Sequence, residues 1–161
     1  MLNIAEFKKI KLLILDVDGV LTDGGFYVSN TGDILRKFNV LDGFGVREAL
    51  KNNIEIAIIT GGKSESVIHR SDYLGIKHVY MGREDKLNVY NEIVKPQLRF
   101  KDEEVAFIGD DVYDIPLMNN VGISVTVPNA HESVKKVAKY ITSKSGGEGA
   151  VREVIDLIIG K

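Results

Sequence analysis

Short runs of consecutive apolar residues recur along the chain, and each run stops at polar residues or glycine. Three of these runs are fully apolar and rich in branched side chains: Leu12–Leu15, Ile56–Ile59 and Val105–Ile108. Short runs of this kind are typical of strands that are covered on both faces of a parallel sheet. Two weaker strands are predicted near His78–Met81 and at Gly122–Val127.

Apolar residues at helical spacing fill the stretches between the predicted strands. One helix is predicted over 43–52 behind an N-cap at Asp42, and another over 83–95 that ends at Pro96, which lacks a backbone donor. The remaining helices are predicted at 64–74, 113–119, 131–138 and 150–159. This alternation predicts a single α/β domain over residues 1–161: a doubly wound, Rossmann-like parallel sheet with helices on both faces.

Residues 24–40 interrupt the alternation of strands and helices. Phe26–Ser29 and Ile34–Phe38 are predicted to form two strands joined by Asn30-Thr31-Gly32, a hairpin turn signal. The apolar side chains of this hairpin suit an interface between subunits; the alternative is a hairpin folded over its own domain. A glycine-rich tail is predicted over about 143–161, where it leads into the last helix.

The composition narrows the classes of function. Hydrophobic residues make up 44% of the chain and charged residues 27%, which is typical of a soluble globular protein. The formal charge of −2 gives no general attraction to nucleic acid or to acidic membranes, and no apolar run is long enough to span one. The N-terminus does not resemble a signal peptide, so a cytoplasmic location is expected. The chain has no cysteine, which leaves oxygen ligands of the kind that suit magnesium or calcium.

Polar side chains follow each of the three strong strands, where a parallel sheet binds its ligands. Asp16 and Asp18 follow the first, Thr60 follows the second, and Asp110 with Asp111 follows the third. Carboxylates gathered in one crevice repel each other unless a cation neutralises them, so the pattern predicts a divalent ion. The alternative is that each aspartate caps a turn or helix. A calcium loop and a P-loop are both excluded, because residues that their patterns require are missing.

The order and spacing of these residues resemble the four motifs of the haloacid dehalogenase-like phosphatases. The matching residues are Asp16-Val17-Asp18-Gly19-Val20, Thr60, Lys86 and Gly109-Asp110-Asp111. The resemblance implies that Asp16 is the nucleophile, that Asp18 is the general acid and base, and that Thr60 and Lys86 hold the phosphoryl group. It further implies Mg²⁺ bound by Asp16, Asp18 and Asp110. Asp111 and Asp114 either orient the metal's water ligands or cap the following helix.

A second set of residues narrows the resemblance. It consists of Asn39-Val40-Leu41-Asp42-Gly43, Arg47, Arg70 and the tail Gly146-Gly147-Glu148-Gly149-Ala150-Val151-Arg152-Glu153. These residues resemble one branch of that superfamily, the 3-deoxy-D-manno-octulosonate 8-phosphate phosphatases of lipopolysaccharide synthesis. This branch lacks a cap domain, and only 41 residues separate Asp18 from Thr60 here. The resemblance implies a sugar phosphate substrate and a homotetramer whose subunits complete one another's active sites. It also implies a set of substrate-binding residues: Asn39, Asp42, Gly43, Arg47, Gly61, Arg70, Lys86 and Arg152. Arg152 meets the substrate carboxylate in this interpretation, or pairs with Glu148 in the tail.

Position 62 departs from the pattern of this branch. Many octulosonate phosphatases carry arginine there and the relatives that act on nine-carbon sugar acids tend to carry an acidic residue, whereas this chain has Gly62. The eight-carbon substrate is therefore the first hypothesis, and a nine-carbon, sialic-type sugar acid phosphate is the second. Three further hypotheses stay open at the level of the sequence: a phosphatase for a different phosphate monoester, a non-catalytic interaction module of the same fold, and a response-regulator-like receiver.

Overall fold

A computed structural model describes residues 4–161 and contains the predicted parallel sheet. The strands of the sheet are β1 (Leu12–Leu15), β4 (Glu55–Thr60), β5 (His78–Met81), β6 (Val105–Ile108), β7 (Ile123–Thr126) and β8 (Tyr140–Ile141). The hairpin contains β2 (Tyr27–Val28) and β3 (Ile34–Leu35). Their spatial order is β5-β4-β1-β6-β7-β8, and all neighbouring pairs are parallel. The chain winds outward from β1 in one direction and then in the other, so the winding reverses beside β1. Ligands bind at such a reversal in open α/β sheets.

Helices connect the strands and flank the sheet. They are α1 (Ile4–Phe7), α2 (Val40–Lys51), α3 (Glu65–Leu74), α4 (Lys86–Val89), α5 (Lys95–Leu98), α6 (Ile115–Met118), α7 (Glu132–Val137) and α8 (Ala150–Ile159). Helix α8 packs against α2 and α1. Every residue of β1, β6 and β7 is buried, as expected for strands that are covered on both faces. The predicted α/β architecture is therefore confirmed.

The helix predicted to start after Asp42 begins earlier. Its N-cap is Asn39, whose side chain accepts a hydrogen bond from Leu41 N, and α2 runs from Val40 to Lys51. Asp42 lies in the first turn of α2 instead, where it is 1% exposed. The prediction of Asp42 as the N-cap was wrong because both residue types are good caps, and the spacing of apolar residues did not separate them.

The predicted helix end at Pro96 was also wrong. A π-helical turn at Tyr90–Val94 joins α4 to α5, and Pro96 lies in the first turn of α5. The N–H of Lys95 reaches back five residues to the carbonyl of Tyr90, so the helix is widened immediately before the proline. Proline is tolerated in a first turn because its missing N–H is not needed there. Two short elements, α1 and β8, were not predicted.

The predicted hairpin is present, with shorter strands. Strand β2 (Tyr27–Val28) pairs antiparallel with β3 (Ile34–Leu35), and Gly32 supplies the positive φ of +87° that the turn requires. Large apolar side chains on the hairpin are exposed: Phe26, Tyr27, Val28 and Leu35. Within residues 4–161, none of the helices has the length and apolar character that crossing a membrane would require.

Candidate active site

Polar residues from three neighbouring strands surround one cavity at the carboxyl edge of the sheet. Leu15 pairs with Ile58 of β4 and Ile108 of β6, so the residues that follow β1 lie between the ends of those two strands. The cavity has a volume of about 310 Å³. Its lining includes Asp16, Asp18, Gly24, Thr60, Gly61, Gly62, Glu84, Lys86, Asp110, Asp111, Tyr113 and Asp114. The structure thus brings together the predicted catalytic and metal-binding residues.

The loop after β1 turns tightly so that Asp110 can approach it. Gly19 has a φ of +86°, and a side chain there would collide with the Asp110 carboxylate. Thr22, which is fully buried, braces the loop because its hydroxyl accepts hydrogen bonds from the N–H groups of Gly19 and Gly24. The glycine of the Asp-Val-Asp-Gly motif is therefore required by the shape of the site.

Lys86 reaches the cavity from the first residue of α4. Its Nζ lies 2.9 Å from Asp16 Oδ2 and 2.5 Å from Asp114 Oδ1, and its side chain is only 5% exposed. Burial acts to lower the pKa of Lys86, but the two carboxylates outweigh burial and raise the pKa above its usual value. Lys86 is therefore a fixed positive charge beside the predicted nucleophile.

Asp114 holds the loop after β6 and Lys86 in place through hydrogen bonds to its buried carboxylate. Its Oδ2 accepts hydrogen bonds from the backbone N–H groups of Asp110 and Asp111, and its Oδ1 accepts one from Lys86. The exposed Asp111 accepts a hydrogen bond from Val112 N and caps the helical turn Val112–Asp114. The observed contacts of Asp111 are therefore those of a helix cap. Those of Asp114 hold the loop after β6 and Lys86 in place.

Three carboxylates of the cavity form an arrangement that suits a magnesium ion. Oxygen atoms of Asp16, Asp110 and Asp114 lie within 4.8 Å of one another, and none of the described residues donates a hydrogen bond to the Asp110 carboxylate. Burial raises the pKa of Asp16 to about 6 against the opposing effect of Lys86. Burial and the charges of Asp16 and Asp114 raise the pKa of Asp110 to about 7. A divalent cation held by hard oxygen ligands would relieve this repulsion, so the donor set fits Mg²⁺.

Asp18 is paired with an arginine that lies outside the sequence motifs. Arg36 Nε lies 2.7 Å from Asp18 Oδ1, and Arg36 Nη2 lies 3.1 Å from Asp18 Oδ2. Arg36 follows β3, and its side chain is 4% exposed. The signal that could have found it is the alternation in Ile34–Phe38, which places Arg36 on the same strand face as two apolar residues.

The predicted substrate-binding residues divide into two groups. Gly61 and Lys86 line the cavity. The other six are not among the lining residues and have contacts elsewhere: Asn39, Asp42, Gly43, Arg47, Arg70 and Arg152. Whether these six bind substrate stays a prediction.

Asp42 and Arg152 join α2 to the start of α8. Asp42 Oδ1 accepts a hydrogen bond from Arg152 N at 2.8 Å, and backbone N–H groups of Gly149 and Val151 also favour its charged form. Burial nevertheless raises the pKa of Asp42. The Arg152 side chain pairs with Asp156 at 2.8 Å, so the predicted pairing with Glu148 was wrong: one helical turn places Asp156 directly beside Arg152.

Arg47 and Arg70 flank a separate, smaller cavity of about 100 Å³ between α2 and α3. The guanidinium of Arg47 lies 4.5 Å from the centre of the Tyr73 ring. Arg70 Nη2 donates to Asn39 O at 3.0 Å, and a side chain at Gly43 would collide with Arg70. Within one chain, Arg47 and Arg70 therefore belong to a surface that is separate from the cavity of the candidate active site.

The glycine-rich tail packs against the loop that carries Asp16 and Asp18. Gly147 N donates to Val20 O at 3.0 Å, and a side chain at Gly146 would overlap Gly19 O. Asn129 joins the two segments, because its amide donates to Gly19 O and accepts from Gly146 N. The tail thus packs against the loop after β1 in its own chain.

Comparison with known proteins gives a consistent set of similarities. The family of haloacid dehalogenase-like hydrolases matches residues 78–155. The chain is 49% identical over 156 residues to the 3-deoxy-D-manno-octulosonate 8-phosphate phosphatase KdsC of Escherichia coli strain K12, covering 97% of this chain and 82% of that protein. The crystal structure of the Yersinia pestis 3-deoxy-D-manno-octulosonate 8-phosphate phosphatase has a TM-score of 0.94 and 47% identity, covering 97% of this chain and 84% of that one.

A third relative was solved with ligands. The 3-deoxy-D-manno-octulosonate 8-phosphate phosphatase from Moraxella catarrhalis, in complex with a magnesium ion, a phosphate ion and a KDO molecule, has a TM-score of 0.94. It is 39% identical, and the alignment covers 98% of this chain and 90% of that one. All of these similarities except the family match extend over nearly the whole chain.

Proposed function

The chain belongs to the haloacid dehalogenase-like hydrolases and is a phosphatase that uses Mg²⁺, and we propose that its substrate is 3-deoxy-D-manno-octulosonate 8-phosphate. The observation that carries this proposal is the juxtaposition of Asp16, Lys86 and Asp110 at the carboxyl end of β1. The substrate is supported by about half of the residues being identical to a phosphatase of that specificity over nearly the whole chain. The family resemblance extends the proposal to a role in lipopolysaccharide precursor synthesis in the cytoplasm.

Asp16 is the nucleophile in the proposed reaction. One of its carboxylate oxygens attacks phosphorus, the bond from phosphorus to the sugar oxygen breaks, and Asp18 gives its proton to the departing alkoxide. Asp18 then takes a proton from water, whose oxygen attacks the aspartyl-phosphate. The bond between phosphorus and Asp16 breaks, inorganic phosphate leaves, and both aspartates return to their starting states.

Thr60, Gly61 and Lys86 hold the phosphoryl group in the proposed reaction. Thr60 and Gly61 lie at the end of β4 beside the cavity, and the ammonium of Lys86 balances negative charge next to Asp16. Asp16, Asp110 and the backbone carbonyl of Asp18 are the proposed ligands of Mg²⁺. The bound ion supplies positive charge that neutralises the phosphoryl oxygens in the loose transition state.

The cavity lacks a lid within residues 4–161, and the hairpin presents exposed apolar side chains. Phosphoryl transfer benefits when the reacting group is shielded from bulk water. We therefore propose a homotetramer in which neighbouring subunits close the sites. In such an assembly a neighbouring subunit contributes further groups to the cavity. The substrate-binding role predicted for six residues that do not line the cavity of their own chain is to be tested in this assembly: Asn39, Asp42, Gly43, Arg47, Arg70 and Arg152.

A comparison of substrates tests this function. Phosphate release by the purified protein with Mg²⁺ would be measured for eight-carbon and nine-carbon 2-keto-3-deoxy sugar phosphates and for nucleotides. The highest kcat/KM is expected for the eight-carbon substrate. A preference for the nine-carbon compound would replace the proposed substrate, and the absence of hydrolysis of every phosphate monoester would favour a non-catalytic interaction module.

A further inference from the structure

The hairpin places one buried cation against the proposed general acid. Arg36 holds Asp18 with two parallel hydrogen bonds, Nε to Oδ1 at 2.7 Å and Nη2 to Oδ2 at 3.1 Å. Bidentate pairs of this kind fix the plane and the direction of a carboxylate, because the guanidinium is itself planar and rigid. The orientation of Asp18 is therefore set by a residue outside the loop to which Asp18 belongs.

Arg36 is a buried cation whose hydrogen-bonding capacity is only partly used. Its side chain is 4% exposed, its Nη1 has no acceptor among residues 4–161, and its other contact is with the Phe26 ring at 5.8 Å. Burial of a charge is costly, and replacing a buried ion pair by apolar groups is often neutral or stabilising. A cost of this kind, borne beside a reacting group, is typical of a functional residue.

The two oxygens of Asp18 have different surroundings. Oδ1 is bound at the shorter distance by Arg36 Nε. Oδ2 lies beside Gly62, which lines the cavity: a Cβ built on Gly62 would be 3.5 Å from Oδ2 and 3.4 Å from Arg36 Nη2. Arg36 therefore holds both oxygens, and Oδ2 is the one on the side of Gly62 and the cavity.

We infer that Arg36 is a positioning residue for proton transfer: its two hydrogen bonds fix the plane of the Asp18 carboxyl group so that Oδ2, on the side of the cavity, faces the leaving-group oxygen of the substrate. The hairpin therefore serves the reaction within its own chain, in addition to any part it has in an interface. This inference rests on the proposed acid and base role of Asp18.

Two substrates with different leaving groups test the inference. The constant kcat/KM reports the steps up to release of the alcohol, and a sugar alkoxide needs a proton at that point whereas p-nitrophenolate does not. Arg36→Met is expected to lower kcat/KM about 10- to 100-fold on the sugar phosphate, as a displaced catalytic group does. On p-nitrophenyl phosphate the loss is expected to be much smaller. Asp18→Asn serves as the benchmark, with the same pattern and a loss of about 10²- to 10⁴-fold on the sugar phosphate.

Two further variants complete the series. Arg36→Lys keeps the charge but not the parallel pair, so it is expected to recover part of the loss and to decide the question even where Arg36→Met folds poorly. Lys37→Met is the matched control, because it removes an exposed pair, to Asp23 at 3.1 Å, from the same stretch of chain. Its kcat/KM is expected to equal that of the unmodified protein on both substrates.

The outcomes separate this inference from the proposed function. An equal loss on both substrates, a change in KM alone, or unchanged kinetics in Arg36→Met and Arg36→Lys would overturn the positioning role. Failure of the unmodified protein to hydrolyse the octulosonate phosphate would overturn the proposed substrate alone, and the comparison would then use an alkyl phosphate that the protein does hydrolyse. Full activity of Asp18→Asn on that alkyl substrate would overturn the role of Asp18 and this inference with it.

Discussion

Lys86 Nζ lies 2.9 Å from Asp16 Oδ2, so the proposed nucleophile is in direct contact with a buried cation. The same ammonium lies 2.5 Å from Asp114 Oδ1, which ties the end of β1 to the loop after β6 through one side chain. Lysine at this position therefore has two effects. It compensates carboxylates that burial would otherwise protonate, and it supplies a positive charge where a phosphoryl group would bind.

Removal of this cation is expected to affect stability as well as activity. Lys86→Met leaves two buried carboxylates without their partner, a change that typically costs about 3–5 kcal/mol of unfolding free energy. We expect thermal unfolding in EDTA to show this loss and added Mg²⁺ to reverse part of it, because binding to the native state stabilises it. Lys95→Met, which breaks the exposed pair with Asp102, is the control and should change little. Equal stability of the Lys86 variant and the unmodified protein in EDTA would contradict this role of Lys86.

The pKa values of Asp110 and Asp16, about 7 and about 6, predict how pH affects metal binding. As pH falls through this range the carboxyl groups take up protons that Mg²⁺ must displace, so its apparent affinity should be weaker at pH 5.5 than at pH 7.5. Titration calorimetry at the two pH values measures the difference. An affinity that does not depend on pH would show that these groups are already ionised.

The same shifts predict the pH dependence of the metal-free protein. Both pKa values lie above those of an unfolded chain, so the native state binds more protons than the unfolded state between about pH 4 and pH 7. The stability of the protein in EDTA should therefore increase as pH is lowered through that window. Asp110→Asn should make this increase smaller. A steady loss of stability in EDTA over the same pH range would be the opposite of the expected sign.

Asp42 allows a structural role to be distinguished from substrate binding. Its Oδ1 accepts from Arg152 N in the first turn of α8, so Asp42→Ala should destabilise the protein by about 1–2 kcal/mol, as loss of a helix cap does. Asp42→Asn retains an acceptor oxygen and should lose less. At a temperature where both variants are folded, kcat/KM should be unchanged. A higher KM in both variants would instead support contact with the substrate.

The exposed hairpin predicts the state of assembly. Val28→Asp replaces an apolar residue that is 63% exposed with a charged one. Because burying this charge in an apolar interface would be unfavourable, the variant should form species smaller than the proposed tetramer in light scattering. Ile4→Asp is the control, because Ile4 is 61% exposed but lies on α1. A stable monomer of the unmodified protein at micromolar concentration would remove the argument for shared active sites.

The sheet could be predicted from the sequence because burial on both faces leaves a direct signal. Leu12–Leu15 and Val105–Ile108 are apolar throughout, and the polar residue that follows each of them marks the edge where the site forms. Strand β8 gave no such signal, since it has two residues and neither is fully buried. Pro96 misled the prediction because a local rule about proline does not include a π-helical turn that accommodates it.

Site residues that directly follow an apolar strand could be predicted from the sequence. Contacts between segments that are far apart in the sequence could not. Asp16, Asp110 and Lys86 meet as the motif resemblance implies. The pairing of Arg36 with Asp18 depends on how the hairpin packs against the loop after β1, and the alternation in Ile34–Phe38 does not specify that packing. The link between Asp42 and α8 likewise joins segments 110 residues apart.

Detection of the covalent intermediate tests the central claim most directly. The protein with Mg²⁺ and substrate would be quenched in acid within the first turnover, and peptide mass spectrometry would locate any phosphoryl group. Asp16→Asn should lose at least about 10⁴-fold in kcat, because it removes the nucleophile and keeps the shape of the side chain. Asp23→Asn, an exposed residue of the same loop, should keep its activity. We expect a phosphoryl group on Asp16 that is absent from Asp16→Asn; hydrolysis at an undiminished rate by Asp16→Asn, or a phosphoryl group on another residue, would contradict the covalent mechanism.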